Sequence, residues 1–544
     1  MNVNYTRRSF LLPVFFILLV LSLGHLVWRQ AENLKTEVKT KNGSFHEGVI
    51  GSPRFINPVL AQSQTDQDIT RLVFTPLINI TQSQDEPEYL LAEDVLISDN
   101  GLTYTIKLRP NTLFHDGHVI TASDVVYTIE QIQDPLIKSP LSSQWQGVQA
   151  ESIDQYTVEI QLVRAFEDFI YNLEIGIVPE HIWGDIDPQE FVFSTYNTNP
   201  IGNGPYTIAD IDLDKNGIPT RYTLEQSSNS YEESYIEQVH FHFYEDEPHL
   251  IEGLNKHNIN AAYGVSPEYL DDLSRYYTVH TETLPRVFGL FFNQNEQPLF
   301  QSKDIRTAIQ KGIDTELITS EVFQGFAHRI SAPDASQSNE SEYNPTQAQE
   351  LIEENGWVIN PETNIYEKTK NNETQILEFS IAIPNIEDMQ LVAESIKNQL
   401  SMIGVVVNIR SYDQGNLNQN IIRGRDYESL LFGYEIEKKS DLYAFWHSSQ
   451  ISDPGLNISL YNNKSVDQKL ERLRISETSE FESIVSDIVD DVPAVFLYSP
   501  KYIYILPKEI KGISLENIQS AHHRFSSLSE WYTETRKVWP IFIH

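Results

Sequence analysis

Histidine pairs at two places in the sequence have a spacing that suits metal binding. His240 and His242 flank Phe241, and because successive side chains of a strand point to opposite faces, both imidazoles would lie on one face of a strand. His115 and His118 flank a turn. A metal site needs at least a third protein ligand, and the sequence indicates none beside either pair. We therefore expect a strand with one solvated face and a polar turn, with no metal and no other cofactor.

One acidic segment has the beginning of a calcium-binding loop. Asp212, Asp214 and Asn216 occupy alternate positions ahead of Gly217, as in the first half of an EF-hand loop. The twelfth position is Thr223 instead of the Glu that such a loop requires. The same residues are typical of a polar hairpin turn, which is the structure we expect here.

The common catalytic motifs are missing from this chain. It contains no G-x-S-x-G, H-E-x-x-H or G-x-x-x-x-G-K-[ST] pattern, so the usual hydrolase, zinc-protease and P-loop signals do not occur. It contains no cysteine, which excludes disulfides, a thiolate nucleophile and cysteine-ligated zinc. Among 77 acidic residues, pairs of carboxylates arise by chance and do not indicate a glycosidase. We expect a protein that is not an enzyme.

Length and charge limit the remaining classes. A chain of 544 residues exceeds the usual size of one domain, so two or three domains are expected. Its 27 Tyr and 26 Phe are enough to line a sizeable cleft. The 77 Asp and Glu outnumber the 39 Lys and Arg, which gives a formal net charge of −38. Such a surface repels phosphate backbones, so no nucleic-acid partner is expected.

The elements that would position functional residues are clearest between residues 90 and 132. Asp99-Asn100-Gly101 favours a tight turn, and apolar residues then alternate with polar ones as in a half-buried strand. Pro110 ends this strand because proline has no N–H for the ladder. A second turn with the sequence FHDG follows. Thr121 or Ser123 can then cap a helix whose apolar positions have helical spacing.

This order of hairpin, FHDG turn and TASDVVYTIE helix resembles one family closely. It is the oligopeptide- and dipeptide-binding family of extracellular solute-binding proteins (family 5), the receptors of ABC importers. The resemblance extends from about residue 45 to 515, with further motifs in the expected order. They are F-x-N-P at 55–58, IGNGPY at 201–206, FGLFFN at 288–293, DIRTAI at 304–309 and YNPTQA at 343–348. The chain departs from the family at Asn203, where Thr is usual.

The resemblance implies an α/β fold with two lobes. It is the type II periplasmic-binding-protein fold in its large variant, with mixed β-sheets flanked by helices and a hinged cleft. Lobe I is expected to comprise residues 44–292, with an extra subdomain at about 80–199. Lobe II is expected to comprise residues 293–498, and residues 499–544 are expected to return to lobe I.

The resemblance also supplies candidate ligand-binding residues. Three of its motifs give Asn57, Tyr206 and Asn293. In peptide-binding relatives, an Asp follows a Trp-containing strand in the region that matches residues 431–441, and a buried ligand ammonium needs such a carboxylate. Tyr434 stands here in place of that Trp, and no residue matches the Asp cleanly.

Several residues after Tyr434 are alternatives for ligand contact. Glu435, Glu437 and Asp441 are all candidates for pairing with a ligand ammonium. Two intervening lysines, Lys438 and Lys439, could instead pair with a ligand carboxylate, and a solvated charged loop is the further alternative. With Tyr434, Trp446 could wall the cleft, although aromatic residues at this spacing also occur in cores.

The first 29 residues are predicted to anchor the chain. Residues 10–28 are apolar enough to span a bilayer as a helix, and Arg7 and Arg8 place the short amino end in the cytoplasm. No small-residue cleavage site follows, which favours an uncleaved signal anchor over a cleaved signal peptide. The two arginines also resemble a twin-arginine export signal, although such pairs are common before apolar segments. Residues 30–43 are predicted to be a linker.

These features predict an extracytoplasmic solute-binding protein tethered to the cell membrane. It would capture oligo- or dipeptides between its lobes and deliver them to the permease subunits of an ABC importer. The alternative is a surface protein that retains the fold as a receptor, adhesin or chaperone without a role in import. Stabilisation by an added ligand would favour the first function, and a filled cleft would favour the second.

Overall fold

The structure is a computed structural model. It describes residues 14–23, 25, 36–41, 43–80, 87–142, 144–165, 167–230, 234–335, 342–370, 373–436, 441–453, 455–474, 480–515 and 520–539. Glu437 and most of the predicted anchor therefore lie outside the described residues. Residues 14–23 are helical. No helix within these ranges has both the length and the apolar character that crossing a membrane requires.

The strands of the described residues are numbered along the chain, and the helices are given by their bounds. The strands are β1 (Thr36–Lys39), β2 (Gly43–Ile50), β3 (Ile78–Asn79), β4 (Glu88–Tyr89), β5 (Ala92–Ile97), β6 (Thr103–Leu108), β7 (Gln149–Asp154), β8 (Thr157–Gln161), β9 (Tyr206–Leu213), β10 (Pro219–Gln226), β11 (Ile236–Tyr244), β12 (Ala261–Tyr263), β13 (Tyr277–Thr283), β14 (Arg286–Phe292), β15 (Ala327–Arg329), β16 (Val358–Ile359), β17 (Tyr366–Lys370), β18 (Glu373–Ile376), β19 (Glu378–Pro384), β20 (Val406–Tyr412), β21 (Ser429–Glu435), β22 (Ala494–Pro507) and β23 (Thr535–Val538). The α-helices are Gln64–Val73, Ala122–Gln133, Glu180–Trp183, Glu247–Asn255, Leu270–Leu273, Lys303–Lys311, Thr315–Glu321, Pro345–Glu354, Glu387–Met402, Gln414–Asn416, Leu442–Trp446, Lys464–Leu473 and Phe481–Asp491.

The first and last strands of the described residues pair with each other. β1 runs antiparallel to β23, with Thr36 opposite Val538 and Lys39 opposite Thr535. The Lys39 ammonium also lies 2.6 Å from a carboxylate oxygen of Glu530. Part of the predicted linker at 30–43 is therefore a strand, because the C-terminal segment supplies it with a partner.

The predicted hairpin and helix between residues 90 and 132 are confirmed. β5 and β6 pair antiparallel around the turn at Gly101, which has a φ of +66°. They belong to a four-stranded sheet of order β5-β6-β8-β7. The helix Ala122–Gln133 begins at Thr121, whose backbone N–H donates to Asp124 Oδ2 at 2.9 Å. This sheet is separate from the large sheet of the molecule and lies within the predicted subdomain.

The largest sheet connects both lobes through one long strand. Its order is β20-β19-β21-β14-β22-β12-β2-β11-β10-β9, with β13 and β15 also paired to β22. The first half of β22 pairs with β14, and its second half pairs with β12 and β13. The chain also crosses between the halves at residues 284–285, where Ser499 Oγ donates to the carbonyl of Leu284 at 3.0 Å.

Each half of this sheet has its own core. One large cluster of buried apolar side chains includes Phe45, Tyr206 and Trp531 and belongs to lobe I. Two others cover the two faces of the lobe II strands, one around Leu290 and one around Trp446. The sequence-based division starts lobe II at residue 293. Strand β14 precedes that residue but already contributes side chains to the lobe II clusters, so the packing of lobe II begins earlier in the chain.

The segment that resembles a calcium-binding loop forms a hairpin turn, and the pair His240 and His242 lies in a strand. The predicted polar turn is confirmed: the Asp214 carboxylate accepts hydrogen bonds from the backbone N–H groups of Asn216 and Ile218, both at 2.8 Å. His240 and His242 lie on one face of β11, as predicted. That face is half-buried rather than fully solvated, because β2 places His46 beside the pair.

Candidate ligand-binding cleft

The parallel strands of lobe I end at an edge that faces lobe II. β2 runs parallel to β11 and β12, and β12 runs antiparallel to β22. β22 enters lobe I from lobe II, so the three parallel strands run in the opposite direction, toward lobe II. Their carboxyl ends therefore lie at the boundary between the lobes.

The parallel strands of lobe II end at an edge that faces lobe I. β14 is antiparallel to both β22 and β21, so β21 runs in the direction of β22, toward lobe I. β19 is parallel to β21 and β20 is parallel to β19. Open α/β sheets bind ligands beyond the carboxyl ends of their strands. The two opposed edges therefore define the candidate ligand-binding cleft.

A buried charge cluster underlies the lobe I edge. Arg524 donates hydrogen bonds to both carboxylate oxygens of Asp68, at 2.7 and 2.6 Å, and to Glu47 Oε1 at 3.1 Å. None of these three side chains is exposed to solvent. Tyr504 donates its hydroxyl to the other Glu47 oxygen at 2.7 Å. Burial raises the pKa of Glu47 to about 7, and Arg524 opposes this increase. The cluster joins β2 to the helix Gln64–Val73, which contains Asp68, and to the segment Ala521–Glu530, which contains Arg524.

Two tyrosines connect this cluster to the lobe boundary. The Tyr263 ring lies over the guanidinium of Arg524, with 4.4 Å between the guanidinium carbon and the ring centroid, and it stacks on Tyr502 at 6.1 Å between centroids. Tyr502 is only 5% exposed, and its hydroxyl has no hydrogen-bond partner among the described residues. Leaving a buried hydroxyl unpaired costs about 1–3 kcal/mol. A bound ligand could supply the missing hydrogen bond.

An aromatic cluster forms the lobe II side. Tyr434 donates its hydroxyl to the carbonyl of Pro333 at 3.0 Å, and Trp446 Nε1 donates to Tyr434 Oη at 3.3 Å. The half-buried ring of Phe445 stacks on Tyr434 at 4.2 Å. Burial raises the pKa of the Tyr434 hydroxyl, so it acts as a neutral donor. Tyr434 and Trp446 are 8% and 1% exposed and belong to the lobe II core, so direct contact with a ligand stays a prediction for both.

The carboxylates predicted to pair with a ligand ammonium differ in their surroundings. Glu435 ends β21 and accepts a hydrogen bond from Arg286 Nε at 2.6 Å, with both side chains partly exposed. Asp441 is half-buried just ahead of the helix Leu442–Trp446. Glu437 lies outside the described residues. A ligand ammonium at Glu435 would therefore compete with the guanidinium of Arg286.

Comparison with known proteins identifies the family. Residues 86–453 match the model for the middle region of bacterial extracellular solute-binding proteins, family 5. The chain belongs to this family. Oligopeptide-binding protein AppA from Bacillus subtilis is 25% identical over 535 residues, which cover 93% of this chain and 96% of AppA. The family and these relatives are binding proteins rather than enzymes.

Solved structures of similar proteins confirm the predicted two-lobed α/β fold. AppA from Bacillus subtilis in complex with a nonapeptide has a TM-score of 0.74 and 22% identity, covering 91% of this chain and 100% of AppA. NikZ from Campylobacter jejuni in complex with Ni(L-His) has a TM-score of 0.73 and 22% identity, with the same coverage. Those two proteins hold different kinds of ligand on one fold, so the fold alone does not identify the ligand of this family-5 protein.

Three other residues that were predicted to bind the ligand of this solute-binding protein form hydrogen bonds within the protein. Asn57 is fully buried and donates to Asn197 Oδ1 at 3.0 Å. The hydroxyl of Tyr206 donates to the carbonyl of Ile236 at 2.7 Å. Asn293 Nδ2 donates to the carbonyl of Arg425 at 3.0 Å. These bonds position the loops at the strand ends, and a ligand contact for the three residues stays a prediction.

Carboxylates from both lobes surround one part of the cleft. Glu247 follows β11 in lobe I, and Glu387 and Asp388 begin the helix that follows β19 in lobe II. Partial desolvation, and then the carboxylates of Glu247, Glu387 and Glu268, raise the pKa of Asp388. The mutual repulsion of these groups favours a cationic group between the lobes.

Sequence reasoning missed the lobe I groups. Tyr502 and Tyr504 stand two residues apart, and this period-2 spacing in a strand could have indicated that both rings share one face. No local pattern marks Arg524, because its partners Glu47 and Asp68 are 477 and 456 residues away.

Proposed function

We propose that this family-5 protein is the peptide-binding component of an ABC importer. In this proposal it is held at the extracytoplasmic face of the cell membrane by its N-terminal segment and delivers peptides to permease subunits. The observation that carries peptide capture is the pair of opposed carboxyl edges. One edge has the buried Tyr502 hydroxyl, which no described residue pairs with, and the other has the Arg286–Glu435 pair. The similarity to AppA along nearly the whole chain supports the same class of ligand.

The chemistry of this cleft suits the backbone and termini of a peptide. An extended peptide offers carbonyl oxygens that Tyr502 Oη can donate to, a terminal ammonium for the acidic groups around Asp388, and a terminal carboxylate for Arg286. Contacts of one ligand to both lobes would favour the closed arrangement over the open one, provided the two differ by a few kcal/mol. The crossings at residues 284–285 and within β22 are the positions at which such a hinge motion would bend the chain.

Binding can be tested on the full-length chain purified in detergent. Native mass spectrometry would detect a co-purified peptide, and thermal shift would compare pools of peptides of two to nine residues with free amino acids, sugars and the Ni(L-His) complex. Binding to the folded state alone raises stability by RT ln(1 + [L]/Kd), which is about 2.7 kcal/mol at one hundred times Kd. Stabilisation by peptides alone is the expected result. Stabilisation by sugars or by Ni(L-His) instead would overturn peptide capture, and a cleft that binds none of them would favour the surface-protein alternative.

Tethering and import need separate measurements. An uncleaved anchor predicts that the intact mass of the membrane-associated protein includes residues 1–29, whereas a cleaved signal peptide predicts a shorter chain. Import predicts that deletion of the protein abolishes uptake of a labelled peptide that binds it. Uptake that persists after deletion would contradict the importer role even if peptide binding were confirmed.

A further inference from the structure

Three potential metal ligands meet at the FHDG turn of the subdomain. Asp116 Oδ2 lies 2.7 Å from His181 Nε2 and 3.1 Å from His118 Nδ1. The two imidazole rings stack with 3.9 Å between their centroids. The three ligand atoms all lie within 4.8 Å of one another. The sequence indicated no third ligand beside His115 and His118. In the structure His118 lies with His181 and Asp116, and His115 is not one of the three.

The turn that carries two of these ligands is fixed without a metal. The backbone N–H of His118 donates to Asp116 Oδ1 at 3.1 Å, which leaves Oδ2 directed at the two imidazoles. Gly117 has a φ of +90°, which suits glycine in this tight turn. His115 accepts from the backbone N–H of Gly202 at 3.2 Å and contacts the carbonyl of Gly204 at 3.0 Å. His115 thus holds the turn on the neighbouring loop and takes no part in the site.

The third potential ligand, His181, is positioned by a hydrogen bond between its own short helix and the helix that follows the FHDG turn. His181 lies in the helix Glu180–Trp183, and the backbone N–H of Glu180 donates to Asp124 Oδ1 at 3.0 Å. Asp124 belongs to the helix that follows the FHDG turn. Both segments are therefore positioned by the same part of the subdomain. The His118 side chain, at 62% exposed, is the ligand with the greatest freedom to adjust.

The chemistry of the three groups suits a borderline transition ion. Two imidazoles and one carboxylate are a typical set for Zn²⁺, which prefers Zn–N distances of about 2.0–2.1 Å and a tetrahedral site. Ligand atoms in such a site are about 3.3 Å apart. The present separations from Asp116 need to increase by only a few tenths of an ångström.

We propose that Asp116, His118 and His181 bind one Zn²⁺ ion, with water at the fourth position. The ion would replace two imidazole–carboxylate contacts by coordinate bonds, and each imidazole would bind as the neutral ring with its proton on the other nitrogen. It would join the FHDG turn to the helix at 180–183. Because the chain has no cysteine, such an ion would provide a cross-link that no disulfide can provide. The site lies in the subdomain, on elements other than the strand edges that border the cleft.

Calorimetric titration of the full-length chain tests this site. The protein, purified without a histidine tag and treated with EDTA, is titrated with ZnCl2, and its melting temperature is measured with and without the ion. We expect one ion per chain and a higher melting temperature with zinc. His118→Ala and His181→Ala should each weaken binding at least tenfold and abolish the temperature shift. CaCl2 should have no effect, because imidazole is a poor ligand for that hard cation.

Matched variants distinguish this site from other histidines. His249→Ala removes another exposed imidazole that contacts a carboxylate, Asp246 Oδ1 at 2.6 Å, and should leave zinc binding unchanged. His46→Ala removes one ring of the histidine cluster on β2 and β11 and should also leave it unchanged. No measurable zinc binding would overturn the proposal. Unchanged affinity in both His118→Ala and His181→Ala, or a loss in His46→Ala, would overturn it as well. Circular dichroism of each metal-free variant identifies a variant that fails to fold, and the His118→Ala variant, at the most exposed position, then decides the result.

Discussion

Replacement of Arg524 by Met tests how strongly the buried charge cluster stabilises lobe I. Glu47 and Asp68 would remain buried without the guanidinium that neutralises them, while Met would fill much of the same volume. Removing one partner of a buried ion pair costs about 3–5 kcal/mol. Because two carboxylates lose their partner here, we expect a loss of about 5 kcal/mol in the free energy of unfolding of lobe I at pH 8.

The pH dependence of this loss follows from the carboxylate of Glu47. Burial already raises the pKa of Glu47 to about 7 with Arg524 present, and removal of the cation would raise it further. A carboxyl whose pKa is higher in the folded chain than in the unfolded chain stabilises the fold as pH falls. The difference between the Arg524→Met variant and the original chain should therefore be smaller at pH 5.5 than at pH 8.

Urea unfolding at both pH values measures these differences, with tryptophan fluorescence as the signal, because Trp531 is fully buried in lobe I. Arg286→Met is the matched control: it removes an arginine from a partly exposed pair with Glu435 and should cost only about 0–1 kcal/mol. A loss below about 1 kcal/mol in Arg524→Met at pH 8 would refute the stabilising role of the cluster. An equal loss at both pH values would refute protonation of Glu47.

Three further results are expected. As pH decreases from 6.5 to 4, two half-buried histidines, His46 and His242, should contribute a loss in the free energy of unfolding that opposes the effect of Glu47, because burial lowers their pKa to about 4 and their unfolded forms bind protons at higher pH. His242→Gln should reduce this contribution in urea titrations, and an unchanged pH dependence would contradict the assignment. Tyr502→Phe should leave the melting temperature unchanged or higher, yet weaken peptide binding about tenfold by calorimetry, since the hydroxyl has no partner among the described residues; equal affinity would argue against a ligand role. Gly202→Ala should cost about 1–3 kcal/mol, because a Cβ there would lie 2.0 Å from the carbonyl oxygen of Val73, whereas Gly415→Ala, where the nearest atom is 3.4 Å away, should change little.

The fold could be predicted because its signals are local and ordered. Turn residues at 99–101, the cap at Thr121 and the periodic strands around them are each determined by neighbours in sequence, and the structure confirms them. Family resemblance then supplied the arrangement of lobes, which no local pattern contains. The paired strand in the predicted linker was missed because its partner, β23, lies about five hundred residues further along the chain.

The candidate cleft was predicted less completely, because long-range contacts decide the role of each side chain. Tyr434 and Trp446 have the spacing of either a cleft wall or a core, and only packing against lobe II reveals their low exposure. Glu435 looked available for a ligand, but antiparallel pairing of β14 and β21 places Arg286 opposite it. The zinc ligand His181 was overlooked for the same reason, since 65 residues separate it from Asp116.

The position of Arg524 has a consequence for biosynthesis. Glu47 and Asp68 emerge early from the ribosome, but the cation that neutralises them follows only after 477 and 456 further residues. Lobe II strands β14 to β21 are complete well before that point. These strands still lack the first half of β22, which pairs with β14, so we expect lobe II to be completed only shortly before lobe I, which stays incomplete until Arg524 has been synthesised. A chain truncated ahead of residue 524 would retain two uncompensated buried carboxylates, so we expect it to unfold more readily and to be degraded faster than the full chain.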